Sequence, residues 1–424
     1  MGHPWKRWQR GKEVLRIFSR HGFDWLLSLS LDEKTAAVRF QAAGDSFPRM
    51  MESLGPVFVK LGQILAARPG LFEDPIMDAL ARIEDRGEAR PLSSLQSFLG
   101  DQLGANPSTL FSSFQDEPVA SSSTEWVYRA KLKSGRDVVL KVRRPGIEGL
   151  IEVDLDLLGR TVRFIERHTR WLAGPEAREI LEEIRQNLRR DLYLLEEGRN
   201  RERLQKNLSS WPQIRIPAVF WEYSSPDVLT LEAFEGVRLS RLEAFSAAPV
   251  SFAQLAESLS RLYLKQILVD GFFHACPSPE NLALDGEGKI LLHDYRAFGS
   301  LTPGGIGVLN GLISAVQRRK VEKIGSLLID SHGENPGEGR AFSSQLQSIL
   351  DRKGTFADQR PVWGEVFSSA VQLAKEMNHP IPKEILSAGQ TLALLEKTVR
   401  CLSPDVHFLP LAASACENGN PFPS

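Results

Sequence analysis

The chain of 424 residues has few cysteines and no long hydrophobic run. Its three cysteines, Cys276, Cys401 and Cys416, lie far apart and form no CxxC pair. This usage excludes a disulfide scaffold or a structural zinc knuckle and is typical of a reducing cytoplasm. No run approaches the roughly 20 apolar residues that a membrane span needs, and the start MGHPWKRWQRGK lacks the apolar region of a secretory signal. We therefore expect a cytoplasmic chain, at most peripheral at the inner face of a membrane.

An excess of one charge sign is also missing. The formal net charge is −1, with 25% charged and 42% hydrophobic residues. This balance argues against a nucleic-acid partner held by a global basic field, and it is ordinary for a globular chain long enough for two lobes. The exception is residues 5–30, which combine aromatic side chains with six Lys/Arg. That stretch predicts an amphipathic helix, which either lies on an anionic membrane surface or packs against the body of the protein.

The period of the hydrophobic pattern changes along the chain. Residues 47–67 predict one helix that carries Lys60 and Gln63 on the same face. The runs STEWVYRAKL and RDVVLKV flank the turn KSGR and predict a β-hairpin. The next segments are predicted as two helices and then two strands, at 144–168, 175–208, 211–223 and 227–236. Residues 251–412 are predicted to be mostly helical, and the polar tail at 413–424 to be disordered.

Several residues match what phosphoryl transfer requires. Lys141 lies at the end of the strand VVLKV, like the lysine that contacts donor phosphates in kinases, and Glu197 is its expected ion-pair partner. In the loop HACPSPEN, Asn281 follows the base position at the offset of a metal-binding Asn. Asp294 follows the strand KILLH, where kinases carry a metal-binding Asp. Each residue alone also fits a strand end or a turn, but together they predict a kinase-like layout.

Six stretches carry a more specific resemblance, in this order: LGPVFVKLGQILAARPGLF, PVASSSTEWVYRAKLKSGRDVVLKVRRPGI, DLYLLEEGRN, VLTLEAFEGVRL, DGFFHACPSPENL and LLHDYRAFGSL. Over roughly residues 10–412 the chain resembles the UbiB (AarF-domain) family of atypical protein-kinase-like proteins. The resemblance implies an α+β, two-lobed protein-kinase-like fold with an N-terminal helical extension and a largely helical C-lobe. It implies the helical extension with its K-x-G-Q motif at 1–110, the N-lobe at 111–245 and the C-lobe at 246–412.

The resemblance also implies ligands and partners. The expected ligands are ATP or ADP with Mg²⁺, and the expected role is in ubiquinone and related isoprenoid-lipid metabolism. Further expected partners are a membrane surface or isoprenoid lipid and the proteins of quinone biosynthesis. The implied site residues are Lys60 and Gln63 of the K-x-G-Q motif, Ser123, Lys141, Asp191 and Glu197 for the nucleotide, and Asn281 and Asp294 for the metal. Asp191 is also expected to meet Lys60.

The chain departs from the family pattern at the site itself. H-A-D-P-H-P-G-N reads HACPSPEN, so Cys276 occupies the position of the catalytic Asp. A thiol with a pKa of about 8.5 is mostly neutral at pH 7. A-A-A-S-I-G-Q-V reads ASSSTEWV, and we expect Glu125 to repel a polyphosphate and Trp126 to fill volume that the nucleotide needs. Arg296 replaces the glycine of D-F-G and is expected to pair with Glu280 or Glu125.

These departures favour a catalytically impaired pseudokinase that holds adenine nucleotide weakly or not at all. Two alternatives stay open. One is an active Mg²⁺-dependent ATPase or kinase in which Glu280 substitutes as an acid. The other is a peripheral lipid-binding module that takes no nucleotide. Cys276 as a nucleophile is a further hypothesis, for which His274 is the only evident base.

Overall fold

The computed structural model describes residues 4–21, 46–66, 74–83, 85, 87–168, 175–241, 251–330, 336–356, 361–379 and 381–417. The chain divides into two compact units. Unit 1 comprises Met1–Gly198 and Val219–Ala233, and unit 2 comprises Arg199–Ala218 and Phe234–Ser424. The domain boundaries at residues 110, 245 and 412 stay a prediction.

Helices and strands alternate in an α+β arrangement. The helices are α1 Pro4–His21, α2 Ser46–Leu54, α3 Pro56–Ala66, α4 Asp74–Ala81, α5 Gln96–Leu103, α6 Pro107–Leu110, α7 Ile147–His168, α8 Pro175–Leu192, α9 Leu194–Asn207, α10 Phe252–Leu268, α11 Pro303–Gln317, α12 Val321–Gly325, α13 Pro336–Lys353, α14 Trp363–Glu376, α15 Lys383–Leu402 and α16 Phe408–Glu417. The strands are β1 Phe111–Phe114, β2 Ala120–Ser121, β3 Glu125–Leu132, β4 Asp137–Arg143, β5 Ile214–Arg215, β6 Val228–Glu232, β7 Val237–Arg238, β8 Phe272–His274, β9 Leu282–Leu284, β10 Ile290–Leu292 and β11 Phe298–Ser300.

Two predicted helices are each broken into two. The pattern over 47–67 forms α2 and α3, because Gly55 between them adopts a φ of 95°, a left-handed conformation that suits glycine. The pattern over 175–208 forms α8 and α9, with Tyr193 between them. The carbonyl of Tyr193 accepts hydrogen bonds from the backbone of Glu196 and Glu197. The break therefore places Glu197 in the first turn of α9, where a carboxylate is favoured by the helix dipole.

The predicted hairpin is present in the antiparallel sheet of unit 1. The strand order is β1-β3-β4-β6, and β2 pairs with β3. Val127 lies opposite Lys141 in the register of β3 and β4. Because side chains alternate across a strand, Trp126 and Tyr128 face a buried cluster that also contains Leu140. Lys141 and its neighbour Val127 lie on the other face.

The strand predicted at 211–223 is mostly not a strand. Its one named strand, β5, pairs in parallel with β10, Val219 makes an isolated antiparallel bridge with Leu231, and Trp221–Tyr223 form a 3₁₀ turn. Pro212 and Pro217 flank β5 and offer no N–H for a ladder, which limits its length. The strand predicted at 227–236 forms the shorter β6, which pairs with β4.

Unit 2 is mostly helical around one large hydrophobic core. Two small sheets, β5-β10-β9-β7 and β11-β8, accompany α10–α16. Helix α14 has no cap of its own, so Glu396 from α15 accepts the backbone N–H groups of Trp363 and Gly364 at 3.0 and 2.8 Å. Helix α16 continues to Glu417, past the start of the predicted tail, while residues 418–424 lie outside the described residues. So do residues 22–30 of the predicted N-terminal helix.

Candidate functional site

The first part of the candidate site is an ion pair in unit 1. Lys141 on β4 places its Nζ 2.5 Å from the Glu197 Oε2 of α9. Only 1% of the Glu197 side chain is exposed. Helix α9 is held against the sheet because Leu194 packs with Leu229 and Leu231 of β6. The ion pair expected from the sequence is therefore present, whereas the phosphate-binding role of Lys141 stays a prediction.

A second carboxylate reaches the same lysine. Glu125 begins β3 two residues before Val127, the residue directly opposite Lys141. It is thus a diagonal neighbour of Lys141 on the same face of the sheet. The Glu125 Oε1 lies 3.3 Å from the Lys141 Nζ, and both side chains are largely buried. The ammonium group therefore contacts two carboxylates, and the three formal charges sum to −1.

Trp126 faces away from this ion cluster. It is buried in the hydrophobic cluster on the opposite face of the sheet from Lys141. Its Nε1 donates to the carbonyl of Glu88 at 2.9 Å, and the Arg144 guanidinium lies 4.7 Å from its ring centroid. The expectation that Trp126 fills volume needed by a nucleotide was wrong. The alternation of β3 was the signal that should have placed it on the core face.

The loop between β2 and β3 is covered by an earlier segment of the chain. The backbone N–H of Ser123 donates to the Asp85 Oδ1 at 2.8 Å. Gly87 donates its N–H to the carbonyl of Ser121, and the Ser121 hydroxyl donates back to the carbonyl of Gly87. Further along the segment, the Tyr128 hydroxyl donates to the carbonyl of Arg90 at 2.6 Å. No local pattern predicts a role for Asp85, because the contact joins residues 38 positions apart.

The K-x-G-Q residues lie on α3 in unit 1. The Lys60 Nζ is 3.0 Å from the Asp191 Oδ2 of α8, so the expected contact between them is present. The glycine of the motif, Gly62, allows close packing, because a Cβ built there would lie 2.2 Å from Ile83 Cδ1. Gln63 is half-buried. The roles that the resemblance implies for Lys60 and Gln63 stay predictions.

In unit 2, His274 is a fully buried structural residue. Its Nε2 lies 2.9 Å from the carbonyl oxygen of Asp294. Since a carbonyl can only accept, Nε2 carries the proton, and Nδ1 accepts from the Tyr263 hydroxyl at 2.7 Å. Burial lowers the pKa of His274, although the charge of Asp294 opposes this, and burial also raises the pKa of Tyr263 well above its usual value. Both ring nitrogens are engaged, so His274 offers no lone pair to activate Cys276.

Cys276 lies in a loop that is closed on itself. Its carbonyl accepts the N–H of Ser278 at 2.9 Å and the Nδ2 of Asn281 at 3.4 Å. Two threonines of α15 hold the loop, because Thr391 and Thr398 donate to the carbonyls of Ala275 and Pro277. Burial raises the pKa of the Cys276 thiol, although a hydrogen bond with Ser278 opposes the shift. The thiol is therefore neutral at pH 7, and the hypothesis that it acts as a nucleophile gains no support.

Asn281 and Asp294 flank the same end of a hairpin. Leu282 of β9 pairs with Leu292 of β10, and the N–H of His293 donates to the carbonyl of Asn281 at 2.8 Å. Asp294 adopts a φ of 52°, a left-handed conformation that Asp tolerates better than most residues. The hairpin therefore brings the two predicted metal ligands to one place in the fold.

Arg296 binds the carboxylate of its own loop. Its Nε donates to the Asp294 Oδ1 at 2.8 Å. Glu280 pairs with Arg238 at 3.6 Å instead, so the expected pairing of Arg296 with Glu280 was wrong. The physical reason is distance along the chain, since Arg296 reaches a carboxylate two residues away without ordering a second loop. The alternative pairing with Glu125 stays a prediction.

The donors on this hairpin fit a hard cation in part. Mg²⁺ prefers oxygen ligands and usually takes one or two carboxylates together with phosphates and water. Asn281 and Asp294 supply oxygens of that kind, but one oxygen of Asp294 is bound by Arg296. Within the described ranges, no group of three or more His, Cys, Asp or Glu is arranged to hold a metal. A metal would therefore depend on a ligand's phosphates for most of its coordination.

An α+β architecture in which a lysine of the sheet pairs with a glutamate of a helix, and in which an asparagine and an aspartate flank one hairpin, defines a kinase-like protein. The profile of the ABC1 atypical kinase-like domain matches residues 82–328, more than half of the chain. The chain therefore belongs to the ABC1 family of atypical kinase-like proteins, which confirms the resemblance to UbiB proteins and the kinase-like fold predicted from the sequence.

Individual relatives agree with this assignment. The chain is 30% identical to a probable protein kinase UbiB of Marinobacter nauticus, over 94% of this chain and 76% of the relative. It is 29% identical to an uncharacterized protein of Synechocystis, over 96% of this chain and 71% of the relative. Among solved structures, the Rv3197–erythromycin complex of Mycobacterium tuberculosis has a similar fold, with a TM-score of 0.52 and 21% identity over 88% of this chain and 97% of that one.

Of the helices that the structure describes, none combines the length and apolarity needed to cross a membrane.

Proposed function

We propose that this protein is a catalytically impaired member of the ABC1/UbiB family, a pseudokinase that supports ubiquinone or related isoprenoid-lipid metabolism. The observation that carries the proposal is the state of the loop at Cys276. The thiol is held neutral by burial, and both nitrogens of the adjacent His274 are engaged. No proton acceptor therefore stands where the family's catalytic carboxylate would be, and losing such a base removes a large part of a kinase's rate.

The anchors for a nucleotide are retained in part. Lys141 keeps its ion pair with Glu197, the arrangement that holds the donor phosphates in kinases. Asn281 and Asp294 would hold Mg²⁺ from one end of their hairpin, and the metal would neutralise phosphate charge when bound. Glu125 beside Lys141 and Arg296 on Asp294 compete with these ligands. We therefore propose weak binding of ATP or ADP with Mg²⁺.

The metabolic role rests on family membership. A relative that this chain resembles over 94% of its length is named a probable protein kinase UbiB. We accordingly propose proteins of quinone biosynthesis as partners of this protein and an isoprenoid lipid as the class of ligand.

A peripheral membrane contact is the second candidate, favoured by the surface of α1. Trp8 and Leu15 are 55% and 70% exposed, and the Lys12 Nζ lies 3.5 Å from the Trp8 ring centroid. Val14 and Ile17 pack against the buried cluster of unit 1 instead. One face of α1 can therefore pack on the body of the protein while the other contacts a membrane surface, as the two sequence predictions describe. Aromatic and basic residues together favour anionic interfaces.

Measurements of turnover and of nucleotide binding distinguish a pseudokinase from an active kinase or ATPase. We would measure ATP hydrolysis and phosphoryl transfer for the wild type, Cys276→Asp and Asp294→Asn, and thermal denaturation of each with Mg²⁺–ATP and Mg²⁺–ADP. We expect turnover of the wild type no higher than that of Asp294→Asn, and no full rescue by Cys276→Asp alone. A ligand at 100 times its Kd would add about 2.7 kcal/mol of stability. Mg²⁺-dependent turnover that Asp294→Asn abolishes would establish the active kinase or ATPase instead.

The membrane contact has its own test. Co-sedimentation with anionic phospholipid vesicles should fall for the double variant Trp8→Ser/Leu15→Ser of the full chain. Trp221→Ser, at an exposed tryptophan elsewhere in unit 1, is the matched control and should bind as the wild type does. Equal binding of all three would exclude α1 from the contact.

A further inference from the structure

Two carboxylates of unit 1 lie where phosphates would be expected to bind. Phosphate sites of nucleotide-binding proteins commonly combine a lysine with backbone N–H groups of a loop. In this chain the lysine is Lys141, and the loop is Ser122–Thr124 between β2 and β3. Glu125 contacts the Lys141 Nζ at 3.3 Å, and Asp85 accepts the N–H of Ser123 at 2.8 Å. The Lys141 ammonium group and the Ser123 N–H therefore each already face a carboxylate that the chain itself provides.

We propose that Glu125 and Asp85 are specificity-determining residues that disfavour polyphosphates at this site and leave binding of an unphosphorylated adenine nucleoside largely unaffected. The inference rests on the proposed function, because it assumes that the site derives from one for adenine nucleotide. It goes further by naming the residues that set the ligand class and the chemical group that they reject.

The position of Asp85 is fixed by its neighbours. Gly87 exchanges hydrogen bonds with Ser121, and Arg144 donates to the carbonyl of Glu88 at 2.9 Å and to the Ser121 hydroxyl at 3.2 Å. A Cβ on Gly87 would lie 1.9 Å from the carbonyl oxygen of Ser122, so only glycine allows this approach. The segment is therefore held on the loop, and its carboxylate is not a freely moving surface group.

The position of Glu125 follows from the strand register. Because Val127 is opposite Lys141, a residue two positions earlier on β3 projects from the same face. Lys141 already has a buried partner in Glu197, so Glu125 is not needed to neutralise it. A polyphosphate that binds Lys141 has to displace Glu125 or lie beside it, and like charges about 4 Å apart repel more strongly where solvent is excluded.

Removing one of these charges should not unfold the protein. With Glu125→Gln, Lys141 keeps its buried ion pair with Glu197. With Asp85→Asn, the side-chain amide oxygen still accepts the N–H of Ser123. The matched control is Glu88→Gln, which removes the same charge from the same segment at an exposed side chain, while the hydrogen bonds from Trp126 and Arg144 go to the Glu88 backbone carbonyl and are kept.

The experiment measures binding of ATP, ADP and adenosine to the full chain by calorimetry, with Mg²⁺ present throughout. We expect Glu125→Gln and Asp85→Asn each to bind ATP about tenfold more tightly than the wild type, since about 1.4 kcal/mol corresponds to a factor of ten. Adenosine affinity should change less than twofold, and Glu88→Gln should behave as the wild type. Urea unfolding of each variant checks that the fold is intact.

Three outcomes would overturn the inference, and they differ in what else fails. If ATP binds the wild type and both variants equally, Glu125 and Asp85 do not determine specificity, while the proposed nucleotide site stands. If neither ATP nor adenosine binds any variant, the double variant Glu125→Gln/Asp85→Asn included, both the inference and nucleotide binding by this protein are wrong. If Glu88→Gln gains as much ATP affinity as the other variants, the effect comes from general surface charge and not from Glu125 and Asp85.

Discussion

Replacing Tyr263 with Phe isolates the hydrogen bond that fixes the state of His274. Tyr263 and His274 are both fully buried in unit 2, and the hydroxyl donates to Nδ1 at 2.7 Å. Tyr263→Phe keeps the ring and removes the donor, which leaves Nδ1 as a buried acceptor without a partner. Such a loss costs about 1–3 kcal/mol of unfolding free energy. The fold itself should be retained, because the phenyl ring still fills the same volume.

Urea unfolding followed by circular dichroism measures the effect. With a slope of about 3 kcal/mol per molar urea, a loss of ~2 kcal/mol lowers the midpoint by about 0.7 M. The control is Ser260→Ala on the same helix, where the hydroxyl bonds only to the carbonyl of Ala256, one turn earlier. That change leaves no orphaned group and should cost less than about 1 kcal/mol. If Tyr263→Phe is no more destabilising than Ser260→Ala, the stabilising role of the hydrogen bond between Tyr263 and His274 is refuted.

Further predictions concern pH, a buried ion pair and a tightly packed glycine. Burial lowers the pKa of His274, so below about pH 6.5 the unfolded chain binds a proton at this histidine while the folded chain does not. In urea titrations, the unfolding free energy of the wild type should therefore fall below about pH 6.5 by more than that of His274→Gln. Arg10→Met should lower the unfolding free energy measured in urea by about 3–5 kcal/mol, because it leaves the fully buried Asp154 without the guanidinium that binds it at 2.7 Å. The double variant Arg10→Met/Asp154→Leu should recover most of that unfolding free energy. Gly299→Ala should lower the unfolding free energy by about 1–3 kcal/mol, since its Cβ would lie 2.2 Å from a buried phenyl ring, whereas Gly286→Ala, with open space around it, should not.

Elements with a clear local period were predictable. The alternation of STEWVYRAKL and RDVVLKV predicted β3 and β4, and it also determined which side of the sheet Lys141 lies on. The pairing of Lys141 with Glu197 was expected because the order of motifs along the chain is that of a kinase. Boundaries were less predictable. A single glycine at Gly55 and a single break at Tyr193 divided helices whose hydrophobic pattern continues across them.

The candidate site depends on contacts that no local pattern contains. Asp85 and Ser123 are 38 residues apart. His274 bonds to Tyr263 of helix α10 and to Asp294 of the loop after β10, and these partners meet it only when β8 and β10 are in place. Arg296 binds Asp294. Charge complementarity alone did not identify this partner, because several carboxylates were equally plausible from the sequence.

The family, the order of the elements and the residues that replace the family's catalytic groups follow from residue types and their spacing, so they could be read from the sequence alone. Which residues meet became clear only in three dimensions: Glu125 contacts Lys141, Asp85 bonds to Ser123, and Trp126 packs in the core. The physical reason is that hydrogen bonds and ion pairs form over about 3 Å in space, whereas sequence patterns report only on neighbours within a helix turn or a strand.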